Sequence, residues 1–263
     1  MNVSIYYFSG TGNSYRVAKS ICGGFENARL INIAKEQNTV RTNSDQVIGI
    51  VFPLYYFGLP VIVEAFLRGV EIPEDAYVFF IVTRGVSMAG GVRRQLDAVF
   101  RGKDRPYHYL RYITMGNNFP FYMFNGSAEG QKAQRNQRAD EKIAAILADI
   151  KAKKQSRIFS VLDYFPFPAV TLKLPTFGYQ HFLQIYDQDS CFVVEEDRCN
   201  RCGKCQRVCP VDNVEVHLKV LWKHENCQMC LACYNCCPKN AVQYIDPVNK
   251  VDTRGKRQYW NFT

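Results

Sequence analysis

The sequence VSIYYFSGTGNSYRVA, residues 3–18, predicts a β-strand, a glycine-rich loop and the start of an α-helix. Its first six residues are mostly apolar and include β-branched and aromatic side chains, which favours a buried strand. Glycine and hydroxyl residues then interrupt the apolar run, and the helical candidate extends over residues 13–22. A strand, a tight loop and a helix in this order form the first half of a βαβ unit.

Strand and helix candidates alternate in this way over the first 150 or so residues. Further apolar, β-rich runs lie at residues 28–33, 46–52, 77–83 and 107–114, and helices are predicted at 60–69, 90–100 and 131–154. Three of the strand runs are almost continuously apolar, as parallel strands are when helices cover both faces of a sheet. The last helix carries one apolar stripe at helical spacing, made by Ile143, Ile146, Leu147 and Ile150. The pattern predicts a three-layer α/β domain with five strands.

Length and composition indicate an ordered chain with one large or two smaller domains. The chain has 263 residues, of which 47% are hydrophobic and 22% charged. The uncharged run 47–63 approaches the length of a membrane span, but Pro53, Gly58 and Pro60 divide it into a buried strand, a loop and a helix start. The opening residues lack a charged n-region and a cleavage site, which predicts no signal peptide and a cytoplasmic location.

The net charge and the positions of the cysteines disfavour nucleic-acid binding and favour metal binding. The formal net charge is +9, but no nucleic-acid-binding motif accompanies it, so nucleic-acid binding is disfavoured. Ten of the eleven cysteines lie between residues 191 and 237, with Cys22 alone in the first half. In a chain without an export signal, clustered cysteines indicate metal ligands rather than disulfides.

Two cysteine-rich segments align with each other. CNRCGKCQRVCP (199–210) and CQMCLACYNCCP (227–238) both have the spacing C-x2-C-x2-C-x3-C-P. Zinc sites usually use two widely separated ligand pairs rather than three cysteines at strict intervals. The tandem run closed by proline is typical of two 4Fe–4S clusters, in which the fourth cysteine of each run binds the other cluster.

This arrangement predicts the ligands of each cluster. One set is Cys199, Cys202, Cys205 and Cys237, and the other is Cys227, Cys230, Cys233 and Cys209. Cys236 is left over and is expected to be a small buried side chain beside a cluster. The alternative, in which Cys236 is the ligand, shortens the spacing and loses the adjacent proline. Gly203 is expected to let the first loop curl.

About residues 191–245 resemble bacterial two-cluster ferredoxins. The resemblance rests on the two cysteine runs and implies a small α+β domain of pseudo-twofold β-hairpins and short helices. It also implies two clusters close enough to exchange electrons.

The loop FSGTGNSYRVA, residues 8–18, predicts a phosphate site. It lacks the Gly-Lys-Ser/Thr ending of a Walker A loop and does not match G-x-G-x-x-G. A loop of glycines and hydroxyls at a helix N-terminus suits a phosphate bound by neutral donors. The expected contacts are Ser9, Gly10, Thr11, Gly12, Asn13 and Ser14. The alternative is a glycine turn with a helix N-cap and no ligand.

About residues 1–155 resemble the flavodoxin family, whose loop after the first strand matches at residues 9–14. The resemblance implies a doubly wound parallel sheet of order 2-1-3-4-5 that binds FMN. Its flavin-flanking loops correspond to PLYYFGLP (53–60) and TRGVSMAGG (83–91), and MGNNFPFY (115–122) is expected to complete the pocket or to face its mouth. The expected flavin contacts are Pro53, Leu54, Tyr55, Tyr56, Phe57, Gly58, Thr83, Arg84, Gly85, Gly90 and Gly91, with an aromatic residue at 55–57 stacking on the ring.

The whole chain resembles flavodoxin–ferredoxin fusion proteins of bacteria and archaea. The expected domains are a flavodoxin-like FMN domain at 1–157, an aromatic connector at 158–190, and a ferredoxin-like domain with a polar tail at 191–263. The resemblance implies FMN and two 4Fe–4S clusters in one chain. The connector is expected to pack against both domains, either as a flavin lid or as a surface for a homodimer.

Three functions fit these residues. The first is a redox carrier that moves electrons between FMN and the clusters and exchanges them with redox partner proteins. The second is an FMN-dependent reductase of a small molecule, with Tyr55, Tyr56, Arg84 or Tyr122 as proton donor. The third is a redox sensor, for which no output domain is visible. No acid/base constellation is visible in the sequence, which favours the carrier and leaves enzymatic activity open.

Overall fold

The computed structural model describes most of the two expected domains. The described residues are 2–36, 45–56, 58–85, 91–103, 106–116, 129–157, 191–223 and 227–245. The connector at 158–190, the tail after residue 245 and two predicted flavin contacts, Phe57 and Gly90, lie outside these ranges. So do residues 117–122 of the segment expected to complete the pocket.

A parallel sheet forms the centre of the first domain. Its strands are β1 (Val3–Tyr7), β2 (Ala28–Asn32), β3 (Val47–Pro53), β4 (Tyr77–Arg84), β5 (Tyr109–Thr114) and β6 (Ser156–Arg157). They are ordered β2-β1-β3-β4-β5-β6. The first five strands have the order 2-1-3-4-5 of flavodoxin-like sheets, so the expected fold class is confirmed. The edge strand β6 was not predicted, because two residues are too few to show a periodic pattern.

In the described part of the first domain, four helices cover the two faces of this sheet. On one face lie α1 (Asn13–Cys22) and α4 (Glu129–Lys151), and on the other lie α2 (Val61–Gly69) and α3 (Val92–Gly102). A short 3-10 helix, Ile33–Lys35, follows β2. The apolar stripe predicted in α4 is confirmed, because its three isoleucines are buried in the core and Leu147 packs against it. The two faces therefore bury two separate hydrophobic clusters, as expected for a three-layer domain.

The centre of the sheet is packed too closely for a side chain at Gly49. Gly49 in β3 pairs with Phe79 in β4, and a Cβ atom added to Gly49 would overlap the Phe79 ring. The ring of Phe79 is fully buried, so it has little room to move away. The glycine therefore allows β3 and β4 to pack beneath an aromatic side chain.

We expect Gly49→Ala to lower the free energy of unfolding by about 1–3 kcal/mol, the usual cost of overpacking a core. Chemical denaturation of the purified protein measures this change. The control is Gly102→Ala at the end of α3, where an added Cβ atom has no neighbour within 4 Å among the described residues. Equal stabilities of the two variants would contradict the packing argument.

The second domain is a small α+β unit. β7 (Phe192–Val194) pairs with β10 (Val242–Tyr244), and β8 (Val214–Val216) pairs with β9 (Val220–Trp222), both antiparallel. Among the described residues, two short helices complete the unit: α5 (Lys204–Arg207) lies between β7 and β8 in the sequence, and α6 (Ala232–Cys236) lies between β9 and β10. The two helices contact each other. The expected smaller α+β domain of strand pairs and short helices is therefore confirmed.

The uncharged run at residues 47–63 does not form a single helix. It contains β3, a turn bridged between Tyr55 and Gly58, and the start of α2. Within the part of the chain that the structure describes, no helix has the length and apolar character needed to cross a membrane.

Candidate functional site

Eight cysteines of the second domain line two separate cavities. The first cavity, together with the solvent space at its mouth, spans about 320 Å³, and its cysteines are Cys199, Cys202, Cys205 and Cys237. The second cavity, measured in the same way, spans about 310 Å³, and its cysteines are Cys209, Cys227, Cys230 and Cys233. Each cavity contains the four cysteines that the spacing predicts for one cluster, and Cys236 lines neither cavity. Ligation by these cysteines remains a prediction, but four thiols around one cavity form the donor set of a 4Fe–4S cluster.

The two cysteine runs have matching backbone conformations. Left-handed φ angles occur at three pairs of equivalent positions: Arg201 and Met229, Gly203 and Leu231, and Asp212 and Asn240. This conformation costs a non-glycine residue about 1–2 kcal/mol. Its recurrence at each matched position shows that the sequence repeat is also a structural repeat. Gly203, with φ 71°, takes the curled conformation expected from the sequence.

Backbone N–H groups donate to the last cysteine of each run. The N–H of Asn213 lies 3.2 Å from Cys209 Sγ, and the N–H of Ala241 lies 3.2 Å from Cys237 Sγ. Each donor is four residues after its cysteine, so the hydrogen bonds follow the same repeat. Such N–H···S bonds stabilise thiolate charge and are among the factors that set cluster potentials.

Burial raises the pKa of the Cys205, Cys230 and Cys233 thiols. A bound metal cluster supplies the positive charge that favours the thiolate form of such groups. The pKa of Cys236 is raised by burial to about 11, so this side chain is a neutral thiol near pH 7. Within the described residues, no group of three or more His, Cys, Asp or Glu side chains is placed so that it could hold a single metal ion.

In the first domain, the loops after four strands meet at one edge of the sheet. The side-chain amide of Asn13 donates to the carbonyl of Gly116 after β5, at 3.0 Å. The Ser14 and Thr83 hydroxyls share a hydrogen bond of 2.8 Å between α1 and β4. The N–H of Leu54, after β3, donates to the Thr83 carbonyl at 2.8 Å. The predicted phosphate loop and the predicted flavin-flanking loops are therefore neighbours, as the carboxyl ends of adjacent parallel strands should be.

The predicted phosphate loop leads into an uncapped helix. Gly12 precedes α1 with φ 99°, and no side chain among the described residues caps the helix. The first N–H groups of α1 therefore lack a side-chain cap and are suited to an anion. The Ser9 hydroxyl accepts the Gly12 N–H at 3.1 Å, whereas Thr11 and Ser14 are buried. The Ser14 hydroxyl ties α1 to β4, a role that the sequence did not predict.

The predicted ring-binding residues have other neighbours as well. The Tyr55 ring is edge-on to Phe8, with 6.1 Å between centroids. Tyr56, with φ 45°, packs against the hydrophobic core of the second domain. The Arg84 guanidinium lies 4.8 Å from the centroid of the Tyr112 ring. Flavin stacking by Tyr55 or Tyr56 stays a prediction, while the contact between Tyr56 and the second domain was missed.

The remaining predicted contacts lie at the same edge. Pro53 ends β3, Gly85 follows β4, and Gly91 precedes α3. The N–H of Gly58 donates to the Tyr55 carbonyl at 2.8 Å and closes the turn between them. These residues line up along the edge where the sequence predicts the flavin.

Residues of the second cysteine run contact the predicted phosphate loop. A Cβ atom added to Gly10 would lie 2.5 Å from Cys230 Cβ and 2.6 Å from the Cys230 carbonyl oxygen. The N–H of Ile62, in the first turn of α2, donates to Gln228 Oε1 at 3.2 Å. Pro60 precedes α2 and provides no side-chain cap, so Gln228 of the second domain satisfies this amide. We define the contacts of Cys230 and Gln228 with Gly10 and Ile62 as the interdomain seam.

Residues 191–238 match a family model described as a 4Fe-4S dicluster domain. No curated protein sequence matches the chain. Similar solved structures include a Streptococcus pneumoniae TIGR4 flavodoxin, with 13% identity over 56% of this chain and 99% of that chain, TM-score 0.35. Another is an FMN-dependent NADH-azoreductase from Bacillus anthracis in complex with FMN, with 10% identity over 57% and 99%, TM-score 0.40. Rubredoxin oxygen:oxidoreductase from Desulfovibrio gigas has 16% identity over 58% and 36%, TM-score 0.32.

The chain thus combines a doubly wound α/β domain of flavodoxin-like topology with a second domain that matches an iron–sulfur family model. The match, at residues 191–238, is to a 4Fe-4S dicluster domain. Both parts of the expected flavodoxin–ferredoxin arrangement are confirmed, in the expected order along the chain.

Proposed function

We propose that this protein transfers electrons between FMN at the edge of the first domain and two 4Fe–4S clusters in the second. The observation that carries this proposal is the contact between Cys230 and Gly10. It joins a cysteine of the second cavity to the loop at the start of α1, where the FMN phosphate is expected. Because both sites belong to one chain, transfer between them needs no diffusive encounter.

The residues that would hold the clusters are the four cysteines of each cavity. When bound, each cluster supplies one-electron redox chemistry and FMN supplies one- or two-electron chemistry. The chain contributes N–H donors to Cys209 and Cys237. Buried Leu231 and Tyr234 exclude water from the side of the second run.

The FMN phosphate would be held by the first turn of α1 and the loop before it. Gly12 has the left-handed conformation that opens the loop, and Thr11 and Asn13 flank it. The isoalloxazine ring would lie along the loops after β3 and β4, beside Tyr55 and Arg84. No lysine is required in this arrangement, since neutral N–H groups at a helix N-terminus bind a phosphate well.

A small-molecule reductase is the alternative, and the described residues favour it less. The candidate proton donors Tyr55, Tyr56 and Arg84 are packed against Phe8, the second domain and Tyr112. The imidazole Nδ1 of His108, a described residue, accepts a hydrogen bond from the Val78 N–H, and the ring stacks on Tyr77. This histidine therefore has a structural role in the sheet. We therefore propose a redox carrier, with redox partner proteins as donor and acceptor.

The proposal predicts cofactor content and kinetics. Anaerobically purified protein should contain about eight iron atoms and about one FMN per chain. After photoreduction of the flavin, we expect the cluster absorbance to bleach at a rate that is independent of protein concentration. Stopped-flow or flash spectroscopy over a tenfold range of protein concentration measures this rate. A rate proportional to concentration, or protein that binds no FMN, would exclude intramolecular transfer.

A further inference from the structure

We infer that the two cysteine cavities hold an inner and an outer cluster with different reduction potentials. The second cavity, at the interdomain seam, holds the inner cluster. The first cavity holds the outer cluster, which has the higher potential and exchanges electrons with the partner protein. This inference rests on the proposed function for its flavin partner, but the difference between the clusters rests on the second domain alone.

The seam identifies the inner position. Cys230 and Gln228, which line the second cavity, contact Gly10 and Ile62 of the first domain. Cys230 also packs partly buried against the hydrophobic core beneath α2 and α3. In contrast, Cys202 of the first cavity is exposed. The two cavities therefore differ in which face of the second domain they approach.

Charged side chains distinguish the two cavities. Arg201, Lys204 and Lys239 line the first cavity, and no carboxylate among the described residues does. Arg201 forms an exposed ion pair with Glu196 at 3.8 Å, which screens part of its charge. The guanidinium of Arg207 donates to the Cys202 carbonyl at 3.0 Å, next to an exposed cysteine. The rim of the first cavity therefore carries cationic side chains, and one of its cysteines, Cys202, is exposed.

The second cavity has an apolar lining. Among the described residues, its lining contains no charged side chain and consists of the cysteines, Asn213, Gln228 and apolar residues such as Phe192, Val214 and Trp222. Lys223 lies close enough to interact with Cys209, but it forms an ion pair with Glu215 at 2.9 Å. The lining of the second cavity is therefore less positively charged than that of the first.

Reduction adds one negative charge to a cluster. Cations and water stabilise that charge, so the three cationic side chains and the exposed Cys202 raise the potential of the first-cavity cluster relative to the other. A phosphate in the loop at Gly10 would lower the potential of the inner cluster further, because like charges repel. All these terms act in the same direction.

The electron step that follows is simple. Cys209, Cys227, Cys230 and Cys233 would hold the cluster that gives up one electron, and Cys199, Cys202, Cys205 and Cys237 would hold the cluster that accepts it. No proton would be transferred and no bond broken. Reduced flavin would supply the electron to the inner cluster, and a partner protein would take it from the outer cluster.

EPR-monitored potentiometric titration of the full chain with both clusters loaded tests the inference. We expect two one-electron steps in the wild type. Lys204→Gln should lower the potential of the higher step and leave the lower step in place, and Lys239→Gln should act in the same direction. The equilibrium constant for electron transfer from the inner to the outer cluster should therefore fall several-fold. A tenfold fall corresponds to a decrease of 59 mV in the difference between the two potentials, for one electron.

Two further variants make the assignment decisive. Lys219→Gln is the control, since Lys219 is exposed in the turn between β8 and β9 and lines neither cavity; it should shift neither step. Cys237→Ala removes a ligand of the first cavity, so the remaining cluster should titrate at the lower potential. Coincident steps in the wild type, a shift of the lower step in Lys204→Gln, or a remaining cluster at the higher potential would each overturn the inference. Protein that lacks FMN but shows the two steps would contradict only the proposed function.

Discussion

Cys237→Ala should reduce the iron content from about eight to about four atoms per chain, while Cys236→Ala should leave it unchanged. The two cysteines are adjacent in the sequence and both are buried. Only Cys237 lines the first cavity, where its sulfur accepts the Ala241 N–H. Loss of one thiolate from a four-cysteine set leaves an iron without its protein ligand, so that cluster should be lost. The second cavity keeps all four of its cysteines in both variants.

Iron and sulfide analysis of anaerobically purified variants measures this effect, and EPR of the reduced proteins counts the remaining clusters. The pair is well matched, because both changes remove one buried thiol from neighbouring positions. If Cys236→Ala lost iron and Cys237→Ala did not, the ligand assignment would be wrong. The alternative, in which Cys236 is the ligand and follows Cys233 at the shorter spacing, would then be correct. If both variants lost all their iron, the two clusters would not be held by independent sets.

Gly10→Ala should separate the two domains at the seam. The added methyl group would meet the Cβ and carbonyl oxygen of Cys230 and, at 2.8 Å, the Tyr55 hydroxyl. A carbonyl oxygen belongs to the backbone and cannot rotate away as the end of a side chain can. Overpacking of this kind costs about 1–3 kcal/mol, which corresponds to a fall of about 5- to 150-fold in the equilibrium constant for docking of the two domains, and so to a smaller docked population. The rate of electron transfer from flavin to clusters should fall with that population.

The rate of cluster bleaching after flavin photoreduction measures this effect, with FMN and iron content determined in parallel. Gly69→Ala at the end of α2 is the control, since a Cβ atom there has no neighbour within 4 Å. Gln228→Ala provides a second test outside the phosphate loop, because it leaves the Ile62 N–H without its cap and should weaken the seam by about 1 kcal/mol. An unchanged transfer rate in both seam variants, with cofactors retained, would show that the seam does not control the transfer.

Local patterns predicted much of the architecture. The strands β1 to β5 were visible as apolar, β-rich runs, and the buried stripe of α4 was visible because its 3.6-residue period arises from contacts a few residues apart. The two cysteine runs were visible for the same reason: a cluster imposes its ligand spacing on a short loop. Their grouping around two cavities follows from that spacing.

Long-range contacts were not predicted, because they leave no periodic trace in the sequence. The smallness of Gly10 was attributed to a phosphate, but the structure places Cys230 against it from 220 positions along the chain. The same holds for the Gln228 cap on α2 and for the packing of Tyr56 on the second domain. The edge strand β6 was missed because its two residues are recognisable only by their pairing with β5.

The sequence by itself determined the fold class, the two cysteine repeats and the predicted ligand sets, since each depends on the order of nearby residues. Only the tertiary structure decided which cysteine run lies against the phosphate loop and which is exposed beside Arg201, Lys204 and Lys239. Those features depend on how two separately encoded domains pack, and packing between distant surfaces is governed by shape and burial rather than by local pattern.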